Sequence, residues 1–468
     1  MNRALTEYFR CPDIGADFHL SGLASTDRGF FRWGDDIICY GSSAAGYRTA
    51  QAGSPLYDVS AEVLLNSAGA SLPFDPEDVI QSLRCERYTD QFRESASFTS
   101  TVIRKLYYLI RPLLILPIRK RLQKFHLRGW DKIPFPAWPV DVTADLLHRR
   151  LLALAMQANG IEAMPFIWFW PKGYNSCAIV THDVEAPPGR DFCKTLMDLD
   201  ESYGFKSSFQ VVPEKRYEVC AKYLQQIKDR GFEVNVHDLT HDGRLYADRE
   251  EFLERAKRIN QYVREFGASG FRSGVLYRNL DWYDVYEFEY DMSVPNVGHL
   301  DPQHGGCCTV FPYFIGKIVE LPLTCSQDHT LFNVFNDFSI DLWTRQIETI
   351  LANNGLITLL VHPDYVIEER ARATYKAMLK HMAKLRDQHQ IWAPLPRDVA
   401  EWWRRRNEMV LKAKDGVWCI EGPGSEDAEI AFAHVTGDTV TYSRGVESNR
   451  VSSRSLGVPM PDKKYGAL

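Results

Sequence analysis

Hydrophobic and polar residues alternate in regular blocks through the middle of this chain. Short apolar runs predict strands at 177–185, 207–212, 232–236, 270–277, 318–323 and 356–361. The stretches between them carry apolar residues at helical spacing and predict helices at 217–230, 248–266, 341–353 and 368–388. Strands that alternate with helices favour a parallel sheet or a barrel. The predicted fold class is therefore α/β, an irregular (β/α) barrel of about seven parallel strands.

The regions on either side of this block follow less regular patterns. Residues 1–170 form a mixed N-terminal region whose role the sequence leaves open, with a hairpin predicted over 29–40. Residues 171–406 make the predicted barrel, and 407–468 a small β-rich tail built from short strand-like runs. We therefore expect a central barrel with an appendage at each end.

Composition excludes several classes of protein. The 468 residues are 45% hydrophobic and 25% charged, values that are ordinary for a globular protein and exclude a disordered chain. The net charge of −6 does not favour nucleic-acid binding. The ten cysteines form no disulfide framework, and the first residues lack the apolar core of a secretory signal. We expect a cytoplasmic protein, and its oligomeric state stays open.

One apolar segment at 106–118 leaves room for a second location. It is followed by basic residues up to Lys124, is interrupted by Arg111, Pro112 and Pro117, and falls short of the ~20 apolar residues of a spanning helix. One interpretation is a packing segment with a solvated basic end. The other is a peripheral membrane contact through 106–124.

The first predicted strand ends in two acidic residues. Because side chains alternate along a strand, Asp183 and Glu185 project to the same side, together with Thr181. Catalytic side chains collect at the C-terminal ends of strands in parallel barrels. The pair is therefore a candidate for chemistry, although a solvated strand end would look the same.

Two histidines follow the third predicted strand at a spacing of four residues. His237 and His241 would meet on one face if the chain turned helically there, and neutral imidazoles suit a divalent metal. Glu185 or Asp183 could supply the third ligand, and three protein ligands with one open position are typical of a catalytic metal site. A polar turn with no ligand role is the alternative.

Two further strand ends carry candidate residues. Arg272 would place a cation beside the carboxylates, and His362 follows a long apolar strand. Taken alone, Arg272 could be an ordinary ion-pair residue and His362 a histidine satisfied by the backbone.

The order of these features along 176–365 resembles the polysaccharide deacetylase family, also named carbohydrate esterase family 4. The shared order is acid-x-acid, then His-x3-His, then Arg, then Leu-Val-His, each at a predicted strand end. The resemblance implies a metal-dependent hydrolase that removes an N-acetyl group from a sugar or polysaccharide precursor. It also implies a carbohydrate substrate as the partner.

The resemblance also implies a role for each residue. The implied roles are Asp183 as the catalytic base, Glu185, His237 and His241 as the metal ligands, Arg272 as the residue that orients the base, His362 as the general acid, and Asp291 as the carboxylate that supports this acid. Zinc suits a mixed set of imidazole and carboxylate ligands, while cobalt, nickel and iron stay open.

Two departures from the family pattern keep other functions open. Val184 stands where the commonest first motif has a second aspartate, with Glu185 fitting an acid-x-acid subset, and Ser273-Gly274-Val275 replaces a Pro-Tyr pair after Arg272. A catalytically silent carbohydrate-binding barrel is one alternative. An amidohydrolase that opens a cyclic imide or ureide is the other.

A second group of possible ligands lies further along the chain. His299, His304, Cys307 and Cys308 are thiol and imidazole side chains of the kind that bind zinc. Gly305 and Gly306 favour the other interpretation, a loop beside the active-site mouth.

Overall fold

The computed structural model describes residues 3–13, 17–45, 52–53, 55–66, 69–89, 127, 129–415 and 417–445. The apolar segment at 106–118 lies outside these residues, and no helix within them is long and apolar enough to cross a membrane. The chain divides into two compact units. The mixed unit comprises Met1–Leu83, Thr143–Gly173 and Trp402–Leu468, and the barrel unit comprises Arg84–Val142 and Tyr174–Glu401. As domain boundaries, 170 and 406 stay a prediction.

Seven parallel strands form the main sheet of the barrel unit. The strands are β1 (Ser176–Val184), β2 (Ser207–Val211), β3 (Glu233–His237), β4 (Gly270–Arg272), β5 (Tyr290–Asp291), β6 (Ile318–Glu320) and β7 (Leu356–Leu360). Their order in the sheet is β6-β5-β4-β3-β2-β1-β7. The short strand Tyr313–Ile315 pairs antiparallel with β6, and Ile391–Trp392 pairs parallel with β1. The prediction of an irregular (β/α) barrel is confirmed.

The contact between the two ends of this sheet is irregular. The segment that follows β6 lies beside β7, where the Cys325 N–H donates to the Thr358 carbonyl oxygen at 3.3 Å. The Thr324 hydroxyl replaces part of the ladder, because it accepts from the Thr358 N–H at 2.9 Å and donates to the Leu356 carbonyl at 2.8 Å. A side chain therefore supplies hydrogen bonds that a regular strand would supply from its backbone.

Helices connect the strands largely where the spacing of apolar residues predicts them. Asp248 caps the helix Arg249–Phe266 by accepting from the N–H groups of Glu250 and Glu251, and Gly267 ends it with φ 55°. The helix Pro187–Ser202 was not predicted; its two prolines are compatible with a helix because they occupy the first turn, where no N–H is needed. The helices are α1 (Pro187–Ser202), α2 (Ala221–Asp229), α3 (Arg249–Phe266), α4 (Asp341–Ala352) and α5 (Glu369–His389).

All residues of the seven strands are buried, as expected for a parallel sheet covered on both faces. The predicted strand 270–277 is too long. Its chain turns after Arg272, and Val275 and Leu276 have φ values of 62° and 54°. The two-residue strand β5 was missed because it is too short to show a period.

A buried polar cluster fixes β1 against its neighbours. Asp200 on α1 lies 2.9 Å from His182 Nε2 and accepts from the hydroxyls of Ser207 at 2.6 Å and Tyr375 at 2.5 Å. The other ring nitrogen of His182 lies 2.9 Å from the Val361 carbonyl oxygen. His182 points away from its neighbours Thr181 and Asp183, so the middle residue of this motif holds the strand while the flanking ones remain for the site.

The mixed unit contains small sheets and a long helix. The predicted hairpin is confirmed, and the tail strand Ile430–Thr436 pairs with Ala163–Ile167 from earlier in the chain. Arg406 is buried and donates to backbone carbonyls, including that of Ile167 at 2.7 Å. The elements are the helices Arg3–Phe9, Pro76–Arg84, Thr143–Ala158 and Pro396–Glu408, which continues from the barrel unit, and the strands Asp17–Leu20, Gly29–Trp33, Ile37–Gly41, Leu64–Asn66, Gly69–Leu72, Ala163–Ile167, Val410–Lys414, Val417–Glu421, Ile430–Thr436 and Thr439–Ser443.

Candidate active site

Six of the seven predicted site residues meet at the C-terminal ends of the barrel strands. Asp183 and Glu185 lie at the end of β1, and His237 is the last residue of β3. Arg272 is the last residue of β4, and His362 lies just beyond β7. The remaining two cases are His241, which reaches the site from the turn after β3, and Asp291, which does not reach it.

Glu185, His237 and His241 present three potential ligand atoms to one point. These atoms all lie within 4.8 Å of one another. Glu185 Oε1 is 2.8 Å from His241 Nε2 and 3.6 Å from His237 Nε2. Ligands about 2.0–2.2 Å from a tetrahedral zinc ion are separated by roughly 3.4 Å, so the two distances bracket the value that one shared ion requires.

The ring nitrogens of the two imidazoles that have no hydrogen-bond partner are also available to a metal. His237 Nδ1 lies 3.0 Å from the Arg272 carbonyl oxygen, which fixes the proton on Nδ1 and leaves a lone pair on Nε2. That Nε2, and both ring nitrogens of His241, are buried without a hydrogen-bond partner of suitable geometry in the described chain. Buried polar atoms normally have partners. A divalent cation would provide one, so the residues present fit the predicted metal.

His241 reaches the site through a turn and not through the helix that the spacing of four residues suggests. Asp238 and His241 have φ values of 54° and 51°, and the intervening chain is irregular. Gly274 permits this arrangement. A Cβ atom there would lie 2.4 Å from Asp238 Oδ2 and 3.0 Å from His241 Cδ2. Gly274, two residues after Arg272, therefore leaves room for the turn that contains Asp238 and His241.

Arg272 holds Asp183 beside this triad. Its NH1 group donates to Asp183 Oδ1 at 2.8 Å and to the Thr181 hydroxyl at 2.9 Å, and its Nε donates to the Met292 carbonyl at 2.9 Å. Burial acts to raise the pKa of Asp183, but the charges of Arg272, His237 and His362 together outweigh it and the pKa falls below its ordinary value. Asp183 is thus a carboxylate at neutral pH, with Oδ2 lying 3.7 Å from His237 Nε2.

A second carboxylate, which the sequence did not reveal, supports His362. Asp328 Oδ1 is 2.7 Å from His362 Nδ1, and its Oδ2 accepts the His362 backbone N–H at 2.8 Å. Burial acts to lower the pKa of His362, but Asp328 raises it well above its ordinary value. His362 Nε2 remains turned toward the site, 3.4 Å from Glu185 Oε1.

The prediction for Asp291 is corrected by this arrangement. Asp291 accepts from Tyr283 at 2.8 Å and Ser293 at 2.7 Å, and burial raises its pKa next to Glu320. Asp291 ends β5, whereas His362 follows β7 and is contacted by Asp328 instead. Asp328 comes eight residues after β6 ends, in a segment with no periodic pattern, and only the general rule that carboxylates follow barrel strands could have suggested it.

The second group of possible zinc ligands does not form a site. Among the described residues, the only clusters of potential ligands are the triad above and the set Asp183, Glu185 and His362. The glycine-rich loop is instead held by structural bonds: Glu86 accepts the Gly306 N–H at 2.6 Å and forms a buried ion pair with Arg278.

Comparisons with known proteins find similarity in structure only. No protein-family model matches the chain, and no curated protein matches it. Similar solved structures include a putative polysaccharide deacetylase from Mycobacterium smegmatis, with 18% identity over 51% of this chain and 93% of that chain and a TM-score of 0.40. A peptidoglycan deacetylase from Bacillus subtilis has 12% identity over 50% of this chain and 95% of its own, with a TM-score of 0.33. An allantoinase has 11% identity over 50% and 92%, with a TM-score of 0.38. Because these identities and TM-scores are low, the comparisons carry no argument about function, and the function has to be argued from the geometry of the site itself.

The triad makes a direct prediction about metal binding. His237→Ala and His241→Ala should each weaken zinc binding at least tenfold, because each removes one of three ligands, while circular dichroism shows that the barrel still folds. His389→Ala, an exposed histidine at the end of α5, is the matched control and should bind zinc as the native chain does. Elemental analysis after dialysis measures the ion. Native zinc content in the His237 and His241 variants would contradict the assignment.

Proposed function

We propose that this protein is a metal-dependent hydrolase that removes an N-acetyl group from a sugar or polysaccharide precursor. The observation that carries the proposal is that Asp183 and His362 both lie beside the Glu185, His237 and His241 triad, at 3.7 Å from His237 and 3.4 Å from Glu185 respectively. Asp183 is held by Arg272, and His362 is held by Asp328. Amide hydrolysis needs both a base and an acid, because an amide ion is a very poor leaving group.

The chemistry of the triad defines what the rest of the site has to do. A divalent ion bound there would polarise the acetamide carbonyl and lower the pKa of a water molecule. Zinc is the ion that we favour, since two imidazoles and one carboxylate with an open position form a common catalytic zinc site. The side chains around it then need to move two protons.

Asp183 is proposed to take the first proton. The water attacks the acetamide carbon, and Asp183 accepts its proton at Oδ2, which Arg272 leaves free because it binds Oδ1. The lowered pKa of Asp183 keeps this carboxylate ionised at neutral pH. The Thr181 hydroxyl also accepts from Arg272 NH1, so the guanidinium that holds the base is itself fixed in place.

His362 is proposed to give the second proton to the departing nitrogen. As the carbon–nitrogen bond breaks, Nε2–H donates its proton and the products are acetate and a free amine. The carboxylate of Asp328, together with Glu185, raises the pKa of His362 well above its ordinary value and so favours its protonated form, and Asp328 orients the ring through Nδ1. A histidine that is charged before the reaction is suited to act as an acid.

This site argues against the silent carbohydrate-binding alternative. Despite the departures at Val184 and at Ser273-Gly274, the residues that we propose as base, acid and ligands are all present, and Gly274 gives the histidine turn its space. The cyclic imide alternative uses the same groups on a different amide. The test of substrate therefore has to distinguish opening of a cyclic imide from removal of an N-acetyl group.

Acetate release from N-acetylglucosamine oligomers tests the proposal. The zinc-loaded native chain should release acetate, and Asp183→Asn should lower kcat by about 10²–10⁴-fold while it keeps the metal, because the base is lost and the ligands are not. Asp191→Asn, an exposed carboxylate on α1, is the control. Opening of cyclic imides without acetate release would replace the proposed substrate. No turnover of either substrate would favour the binding alternative.

The His362–Asp328 pair predicts a shift in the pH profile. A raised pKa keeps His362 protonated to higher pH, so activity is present below that pKa and is lost as the pH rises through it. Asp328→Asn removes the charge that raises the pKa while burial still lowers it. The alkaline limb of kcat/KM should then move down by about 1–3 pH units. Asp341→Asn, exposed at the start of α4, should leave the limb in place, and an unmoved limb in Asp328→Asn would rule out His362 as the acid.

A further inference from the structure

The loop after β2 is tied to the strand ends that carry the candidate site. The Tyr217 hydroxyl donates to the Val184 carbonyl at 2.6 Å and accepts the Val212 N–H at 3.0 Å. The Glu214 N–H donates to the Leu239 carbonyl at 3.1 Å, between the two site histidines in sequence. The loop thus bridges the ends of β1 and β3 at the rim of the site.

Arg216 extends from this loop and is anchored beside the site. Its Nε donates to the Glu185 carbonyl oxygen at 3.0 Å. Glu185 is the carboxylate member of the triad, so the guanidinium is hydrogen-bonded to the backbone of a residue whose side chain is a potential metal ligand. The next residue, Tyr217, is hydrogen-bonded to the Val184 carbonyl oxygen. Arg216 is therefore held both by its own side chain and by its neighbour in the chain.

The guanidinium of Arg216 is exposed and forms no ion pair within the described chain. Lys215 beside it is also exposed and has no acidic partner in the described chain. Its φ of 65° lies in the left-handed region. Other arginines in this part of the chain pair with carboxylates. Examples are Arg190 with Asp191, Arg244 with Glu251, Arg255 with Asp242 and Arg258 with Glu214. The two terminal amino groups of Arg216 are therefore available to bind a ligand.

We propose that Arg216 is a specificity-determining residue that binds an anionic group, a carboxylate or a phosphate, on the N-acetylated sugar substrate. A guanidinium offers two parallel N–H groups that match either anion. Since Nε is occupied by Glu185, NH1 and NH2 are the groups that face the ligand. This inference rests on the proposed function and deepens it, because it selects acidic sugars over neutral ones.

Three monosaccharides of similar size separate the sources of the anion. N-acetylglucosamine is neutral, N-acetylmuramic acid adds a carboxylate, and N-acetylglucosamine 1-phosphate adds a phosphate. Titration calorimetry of the full chain, with zinc and without it, gives the ratio of each anionic Kd to the neutral one. At least one anionic sugar should bind about tenfold more tightly than the neutral sugar, and the preference should weaken at high salt.

Substitutions then test whether Arg216 causes this preference. Arg216→Gln should reduce the ratio to below about threefold, and Arg216→Lys, which keeps the charge but not the paired N–H groups, should give an intermediate ratio. Lys222→Gln removes one exposed charge on α2 and should keep the native ratio. Equal binding of all three sugars by the native chain, or a native ratio in Arg216→Gln, would overturn the inference.

Acetate release is measured on the same samples, so that the two proposals can fail separately. A preference for the anionic sugar that depends on Arg216, without acetate release, would support this site and contradict the proposed hydrolysis. Acetate release with no preference would support the hydrolysis and overturn the role of Arg216. Measurement in metal-free protein ensures that loss of zinc from a variant is not taken for loss of anion binding.

Discussion

The candidate site is organised around one carboxylate that faces three imidazoles. Glu185 Oε1 lies 2.8 Å from His241, 3.6 Å from His237 and 3.4 Å from His362. Burial acts to raise the pKa of Glu185, yet His241 and its neighbours hold that pKa well below its ordinary value. A buried negative charge of this kind needs positive charge beside it. A divalent ion shared with His237 and His241 would satisfy that need and would leave His362 to hold its own proton.

The two groups that we propose to move protons have partners that shift their pKa values in opposite directions. Asp183 is paired with Arg272, which lowers its pKa, and His362 is paired with Asp328, which raises the pKa of the imidazole. Environments that push two pKa values in opposite directions allow one group to act as base and the other as acid at the same pH. The parallel strands explain how residues so distant in sequence meet, because their C-terminal ends share one edge of the sheet.

The sequence was most informative where regular strands deliver the residues. Alternation along β1 predicted that Thr181 and Asp183 share a side, and Arg272 contacts both. Burial on both faces made the strand runs apolar and easy to recognise. The helical turn suggested for His237 and His241 was wrong, because positive φ values, which a pattern of residue types does not reveal, bring the two rings together. Asp328 was missed for a related reason, since irregular chain after β6 carries it to His362.

We propose that Glu185, His237 and His241 share one ion, and anomalous diffraction from crystals grown with zinc tests this sharing. We expect one peak within about 2.0–2.3 Å of a Glu185 carboxylate oxygen and of one ring nitrogen from each histidine. A zinc peak elsewhere, or none while the three side chains hydrogen-bond to one another, would contradict it.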